Sequence, residues 1–330
     1  MTRLHNVLCP IDFSAPSRAA LRYAIAIAEH YGSRLTVMTV ADPLLAEAAA
    51  IQGGADWLVH DCDRELRRFV DQTMDHRSAF ALEIEYVVAG GNPAQEILKA
   101  MADRHCDLVV MSTHGLTGIR KLFFGATTER VLRETTVPVL VTPPHEPGPL
   151  YLDEIASLVR RVLVPVDLSA VGERQVQVAA GLAAELRVPL LLAHVVEPLR
   201  FPMFAVTQAP HIDTERRVRA EQALEGLASR LPSGIKAEAI TVFGDPAEEI
   251  AKLARGRGAG LIVVGLHASA LAGPRMGSVT YRVLCLAQRL VLALPPAEKA
   301  LRRPVPAVSA DVVSESASAR PKRELACQLS

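Results

Sequence analysis

Leu8-Cys9-Pro10-Ile11-Asp12-Phe13-Ser14 recurs as Leu163-Val164-Pro165-Val166-Asp167-Leu168-Ser169, and this repetition decides how the whole chain is read. Three more stretches return at nearly the same spacing. Gly91-Asn92-Pro93-Ala94-Gln95-Glu96-Ile97 returns as Gly244-Asp245-Pro246-Ala247-Glu248-Glu249-Ile250, and Met111-Ser112-Thr113-His114 matches Val264-Gly265-Leu266-His267. Pro138 to Pro144 matches Leu290 to Pro296, and the offset drifts only from 155 to 152 residues. A duplicated unit of about 140 residues is too long for a solenoid repeat and suits an independent domain. The division that follows is a first domain over 1–149, a connector over 150–160, a second domain over 161–297 and a disordered tail over 298–330. Pro143 to Pro149 reads as a stiff exit from the first copy, and Leu150 to Arg160 as a short helical connector.

Within each copy, strand and helix signals alternate. Asn6 to Ile11 is an apolar strand; Ser14 and Pro16 then open a helix that Gly32 closes. Arg34 to Val40 is rich in β-branched residues. From Asp56 to Met74, Leu58, Cys62, Leu66, Phe69 and Thr73 recur at helical steps. Glu83 to Val88 is a third strand. Asn92-Pro93 starts a helix with Gln95 placed for a capping box, a device that Asp245-Pro246 and Glu248 repeat. Leu108 to Met111 and Val137 to Val141 flank a helix beginning after Gly125. Alternating βα units with near-continuous apolar strands imply a parallel sheet covered by helices on both faces.

Composition narrows the function. Half of the 330 residues are apolar and 4% aromatic, and 36 basic residues balance 36 acidic ones. Such a balance leaves no global field to draw the chain onto nucleic acid or anionic lipid. The N-terminus enters a strand almost at once, without the apolar core of a signal peptide, and no window approaches a membrane span. Five scattered cysteines without a CxxC suit reduced thiols and a cytoplasmic location. His60-Asp61-Cys62-Asp63 points in several directions on one helix and reads as a solvated face. No metal site is expected, and no GxxxxGK[ST] or Gly-x-Ser-x-Gly occurs to support a P-loop nucleotidase or an α/β-hydrolase.

In an open parallel sheet, ligands bind beyond the carboxyl ends of the strands, where strand order reverses. The polar residues that interrupt the apolar runs fall there: Asp12 and Ser14 after the first strand, Ser112, Thr113, His114 and Gly115 after the fourth. An acidic side chain there can accept hydrogen bonds from a ribose or contact a base. Gly115 and Gly125 let backbone N–H groups approach an anion, and the helix after Gly125 adds its dipole. Thr127 and Thr128 offer hydroxyls, and Arg120 and Lys121 offer charge. The competing reading is that these glycines serve turn geometry alone; spacing by itself leaves the two open.

Pro-Ile-Asp-Phe-Ser at 10–14, the Gly-Asn-Pro helix start, Ser-Thr-His-Gly with a glycine ten residues on, and Pro-Val-Leu-Val at 138–141 resemble the universal stress protein family. The resemblance covers both copies, from about residue 4 to 296. It implies two tandem Rossmann-like domains, each a five-stranded parallel sheet of order 3-2-1-4-5, with ATP or another adenine nucleotide in the crevice and Mg as its candidate counter-ion. It places nucleotide contacts at Pro10, Ile11, Asp12, Val40, Met111, Thr113, His114, Gly115, Gly125, Ala126, Thr127 and Thr128. The second copy matches less closely, at Pro165, Val166, Asp167, Val195, Gly265, His267, Gly277, Ser278 and Val279.

Neither copy keeps the family's Gly-x-x-Gly-x9-Gly-Ser/Thr pattern intact. Ser112 replaces the leading glycine and Ala126 the hydroxyl residue in the first. In the second, Ala268 replaces the middle glycine and the loop is one residue shorter, so the first copy is the better candidate binder. The resemblance points to a stress-response regulator without efficient catalysis, since no base–nucleophile pair is evident. The alternative is a nucleotide-independent interaction or dimerisation module with degenerate sites. In relatives the final strands pair across a dimer, so the copies here are expected to form an internal pseudo-dimer; a homodimer of whole chains stays open.

Overall fold

The computed structural model describes residues 4–41, 55–74, 82–113, 125–143, 151–168, 172–199, 212–266 and 276–296. In the first copy the elements run β1 (Asn6–Ile11), α1 (Ala15–Tyr31), β2 (Arg34–Ala41), α2 (Ala55–Asp71), β3 (Ile84–Gly90), α3 (Pro93–Asp103), β4 (Leu108–Ser112), α4 (Ala126–Glu134) and β5 (Val139–Thr142). The connector holds α5 (Leu152–Val159). The second copy continues with β6 (Val162–Pro165), α6 (Gly172–Glu185), β7 (Leu190–Val196), α7 (Ile212–Ser229), β8 (Ala237–Phe243), α8 (Pro246–Gly256), β9 (Leu261–Gly265), α9 (Ser278–Leu286) and β10 (Leu290–Leu294).

Local chemistry sets the boundaries. The Ser14 side chain accepts from the Ser17 backbone N–H to cap α1, and Gly32 ends that helix at φ 61°, a conformation that costs glycine nothing. Asn92 and Asp245 cap α3 and α8 by accepting from Gln95 and Glu248 N–H, with proline in each first turn. On α2 the expected stripe is present at Leu66, Phe69 and, just past its end, Thr73; Val70 joins it in the core.

The ten strands form one sheet in the order β3-β2-β1-β4-β5-β10-β9-β6-β7-β8. Each half therefore has the 3-2-1-4-5 order, and every pairing within a half is parallel. The halves meet where β5 and β10 pair antiparallel, Val141 opposite Val291 and Leu140 opposite Leu292. That pairing removes two exposed strand edges. One buried cluster lies under α1, α2, α5, α6 and α7, and a second lies on the other face under α3, α4, α8 and α9. Both faces are covered, which is why the strands read as continuous apolar runs.

The connector is held by backbone. Gly260 donates to the carbonyls of Val159 (2.8 Å) and Arg161 (3.2 Å), and a Cβ at this glycine would stand 2.6 Å from the Val159 Cα. Only glycine admits α5 so close to the sheet. The expected exit at 143–149 lies, beyond Pro143, outside the described residues, as does the tail.

Candidate functional site

Strands β1 and β4 pair only at Val7–Leu108 and Leu8–Val109. Beyond that point β1 continues beside β2 and β4 beside β5, so a crevice opens at their carboxyl ends. This is the switch point, and β6 and β9 repeat it, pairing only at Val162–Leu261 and Leu163–Ile262.

At the first crevice, Asp12 Oδ1 accepts from the Ser14 backbone N–H at 3.1 Å and from the Ser14 hydroxyl at 2.5 Å. Ser14 thus fixes the carboxylate while capping α1. Between them Phe13 adopts φ 63°, and Leu168 adopts φ 59° at the matching place. A positive φ on a bulky side chain is an outlier that must be held by its surroundings. Phe13 is held by an edge-on contact with Phe69, centroids 5.6 Å apart. Phe69 in turn lies under the Arg18 guanidinium at 4.0 Å. This bend after each strand was not read from the sequence. The only signal was the repeated Asp-x-Ser, in which an aspartate-serine turn brackets a residue of unfavourable type.

On the opposite side, Gly125 N–H donates to the Thr113 carbonyl at 3.1 Å, and the Thr128 hydroxyl donates to the Ser112 carbonyl at 3.1 Å. Both groups thus have partners within the protein: the Gly125 N–H closes the loop onto Thr113, and the Thr128 hydroxyl braces the strand end. The N–H groups of the next residues of α4 have no intrahelical acceptor, and the helix carries no side-chain cap.

Gly125 is the N-cap of α4. Its φ of −61° suits any residue, and the nearest atom to a hypothetical Cβ is the Thr113 carbonyl oxygen at 3.8 Å. Gly277 repeats this with φ −57° and the Thr280 hydroxyl at 4.0 Å. Among the described residues, neither φ nor a close neighbour requires glycine at either helix start.

A buried glutamine sets the second crevice apart. Gln175 on α6 donates through Nε2 to the carbonyls of Pro165 (2.8 Å) and Val263 (2.7 Å), bridging β6 and β9 where their ladder ends. The first copy has Ala20 in this place, fully buried. Thr280, like Thr128, braces its strand, donating to Gly265 at 3.1 Å.

The remaining expected residues fall at the same strand and helix ends. Ile11, Met111 and Thr113 are buried and Pro10, Val40 and Thr127 half-buried, while Ala126 is exposed. In the second copy Val166 is buried, Pro165 and Val195 are half-buried, and Asp167, Ser278 and Val279 are exposed. His114, Gly115 and His267 lie outside the described residues, as do Arg120, Lys121 and Ala268. Cys9, beneath the first crevice, is fully buried, and burial raises its thiol pKa, so it stays protonated. Among the described residues no group of three or more His, Cys, Asp or Glu is arranged to hold a metal, and no helix is long and apolar enough to cross a membrane.

A profile of the universal stress protein family matches residues 3–143 and 159–295. A universal stress protein from Mycolicibacterium smegmatis is 25% identical over 302 residues, 88% of this chain and 97% of that one. One from Thermus aquaticus is 30% identical over 142 residues, 41% of this chain and 96% of its own length. Among solved structures, a universal stress protein from Archaeoglobus fulgidus superposes with a TM-score of 0.61 at 19% identity, covering 88% of this chain and 96% of that one.

Proposed function

The chain belongs to the universal stress protein family, and on that premise we propose that its first copy binds an adenine nucleotide, ATP or a close analogue, in the crevice between β1 and β4. The protein then acts as a nucleotide-responsive regulator of the stress response, not as an efficient enzyme. The observation that carries this reading is Gly125: a glycine that neither its φ of −61° nor any described neighbour demands, at the start of a helix without a side-chain cap beside the switch point. Glycine there admits an anion close to the free N–H groups of the helix's first turn.

The roles follow from position. Asp12, oriented by Ser14, accepts from a ribose or base. Pro10, Ile11, Val40 and Met111 supply apolar walls for the base. Thr127 and the first-turn N–H groups of α4 meet the phosphates, with His114 and Gly115 completing the segment before them and Mg neutralising the remaining charge. Gln175, which ties β6 to β9 across the second crevice, favours one nucleotide per chain. Ser14 is committed to capping α1, so no activated nucleophile is assigned; ATP turnover is expected far below the roughly 10 s⁻¹ typical of enzymes.

The pairing of β5 with β10 supports a second element of the reading: the units 1–149 and 161–297 serve each other as an internal pseudo-dimer. Equilibrium dialysis of nucleotide-stripped protein against labelled ATP tests the central assignment. One bound equivalent supports it, and none at millimolar ATP refutes it.

A further inference from the structure

A cavity of about 650 Å³ lies on the sheet face covered by α1, α5 and α6. Its floor is built from Leu140 of β5 and Leu290, Leu292 and Leu294 of β10, the strands at which the copies join. The three helices supply its walls, through residues such as Ile27, Ile155 and Leu182. Neither copy contains it alone. Close-packed interiors leave few voids larger than a water molecule, and small-molecule sites occupy roughly 300–1,000 Å³. This space belongs to the second class by size and by its mainly apolar lining.

The charges around it are unevenly matched. Glu185 accepts from the Tyr31 hydroxyl and has His30 Nε2 at 3.6 Å, a polar tie between α1 and α6. Asp107 accepts from the backbone N–H groups of His5 (2.7 Å) and Asn6 (3.1 Å). Each acid in the lining is thus met by donors. Arg174, also in the lining, donates to the neutral Pro295 carbonyl at 3.1 Å, and among the described residues no carboxylate pairs with it. A guanidinium is a strong, always charged partner for a carboxylate. We infer that the seam cavity binds an amphipathic monocarboxylate, a fatty-acid-like molecule whose head meets Arg174 and whose chain lies over the β5–β10 leucines. Because the cavity exists only while the copies are joined, such a ligand favours the joined state, as any ligand specific for one arrangement does.

The inference does not rest on nucleotide binding. It is tested with full-length protein, stripped of lipid and nucleotide, titrated with cis-parinaric acid and read by fluorescence, with dodecanoate and dodecan-1-ol as competitors. One equivalent of probe is expected, displaced by dodecanoate and indifferent to ATP. Arg174→Gln weakens dodecanoate at least tenfold and leaves dodecan-1-ol unchanged. Gly181 lies mid-helix on α6 and also lines the cavity; Gly181→Leu suits a helix and takes part of the volume, so it weakens both competitors without loss of helical circular dichroism. No uptake by the folded chain overturns the inference, since the space is then closed by the protein's own segments. Uptake unaffected by Gly181→Leu places the probe elsewhere and overturns it equally. Equal competition by acid and alcohol, with Arg174→Gln neutral, overturns the assignment of the head group.

Discussion

The Thr128 hydroxyl donates to the Ser112 carbonyl at 3.1 Å, and 152 residues later Thr280 makes the same bond to Gly265 at the same distance. Each bond ties the first turn of a helix to the end of the strand before it, so the base of each crevice is braced by the protein alone. Thr128→Val leaves a strand-end carbonyl without this donor and is expected to cost about 1–2 kcal/mol. It also loosens α4 and lowers ATP affinity several-fold. Thr280→Val costs similar stability and leaves ATP affinity alone. Urea titrations paired with nucleotide titrations of both variants separate the two effects.

Gly125 and Gly260 are glycines for different reasons, and alanine distinguishes them. Gly125→Ala meets no described atom nearer than 3.8 Å and keeps an ordinary φ, so stability changes by less than about 0.5 kcal/mol. ATP affinity falls at least tenfold. Gly260→Ala drives a Cβ to 2.6 Å from the Val159 Cα and is expected to destabilise by about 1–3 kcal/mol, with no direct effect on the crevice. Thermal melts with and without ATP read both outcomes.

Gln175→Ala removes the bridge between Pro165 and Val263. The two carbonyls lose a buried donor, and a cost of about 1–3 kcal/mol follows. Binding at the first copy is untouched, because Ala20 already occupies that place there. A variant of unchanged stability would contradict the bridge.

Acid sensitivity has a named contributor. The Asp245 carboxyl is held below its ordinary value of 3.8, chiefly by its hydrogen bond to Arg282 and further by the Glu248 backbone N–H. A depressed pKa contributes stability that is fully present above the ordinary value and disappears as pH falls through the lowered one. Both side chains are well exposed, so solvent screening keeps the contribution small. Arg282→Ala should therefore lose stability at pH 7 and little or none near pH 2. Urea midpoints at the two pH values check the sign.

Much of this architecture was legible because local chemistry and tertiary structure agree in it. Ser14, Pro16 and Gly32 bound α1 as capping rules require, and the 3-2-1-4-5 order follows from the family resemblance. Of the anticipated capping box at Asn92, the bond from Gln95 N–H to the Asn92 side chain is present at 3.3 Å. What escaped reading is set by distant contacts or by strain. Phe13 and Leu168 adopt positive φ against their own preference, and at Phe13 the contact with Phe69 on α2 helps hold it. Gln175 lies in the first turn of α6, where a polar residue reads as exposed; its partners belong to strands 10 and 88 residues away. At the site, sequence spacing singles out Gly125 but not its surroundings, since the nearest described atom to a Cβ there, the Thr113 carbonyl oxygen, comes from the preceding strand's end. A hydroxyl near a helix start suits an anion, so Thr128 reads as a ligand contact; its hydrogen bond to the Ser112 carbonyl depends on the fold and has no local signal.

The central claim is a single adenine-nucleotide cradle in the first copy. Isothermal titration of nucleotide-stripped protein with Mg-ATP, in the wild type and in Gly125→Asp and Gly277→Asp, tests it most directly. Aspartate is a favoured helix-start residue, so both variants are expected to fold, while each places a negative charge where a phosphate would lie. The account predicts a stoichiometry near one, abolished by Gly125→Asp and preserved in Gly277→Asp. Two equivalents, or one that only Gly277→Asp removes, would contradict the assignment to the first copy; no heat at any temperature, confirmed by dialysis, would contradict nucleotide binding itself.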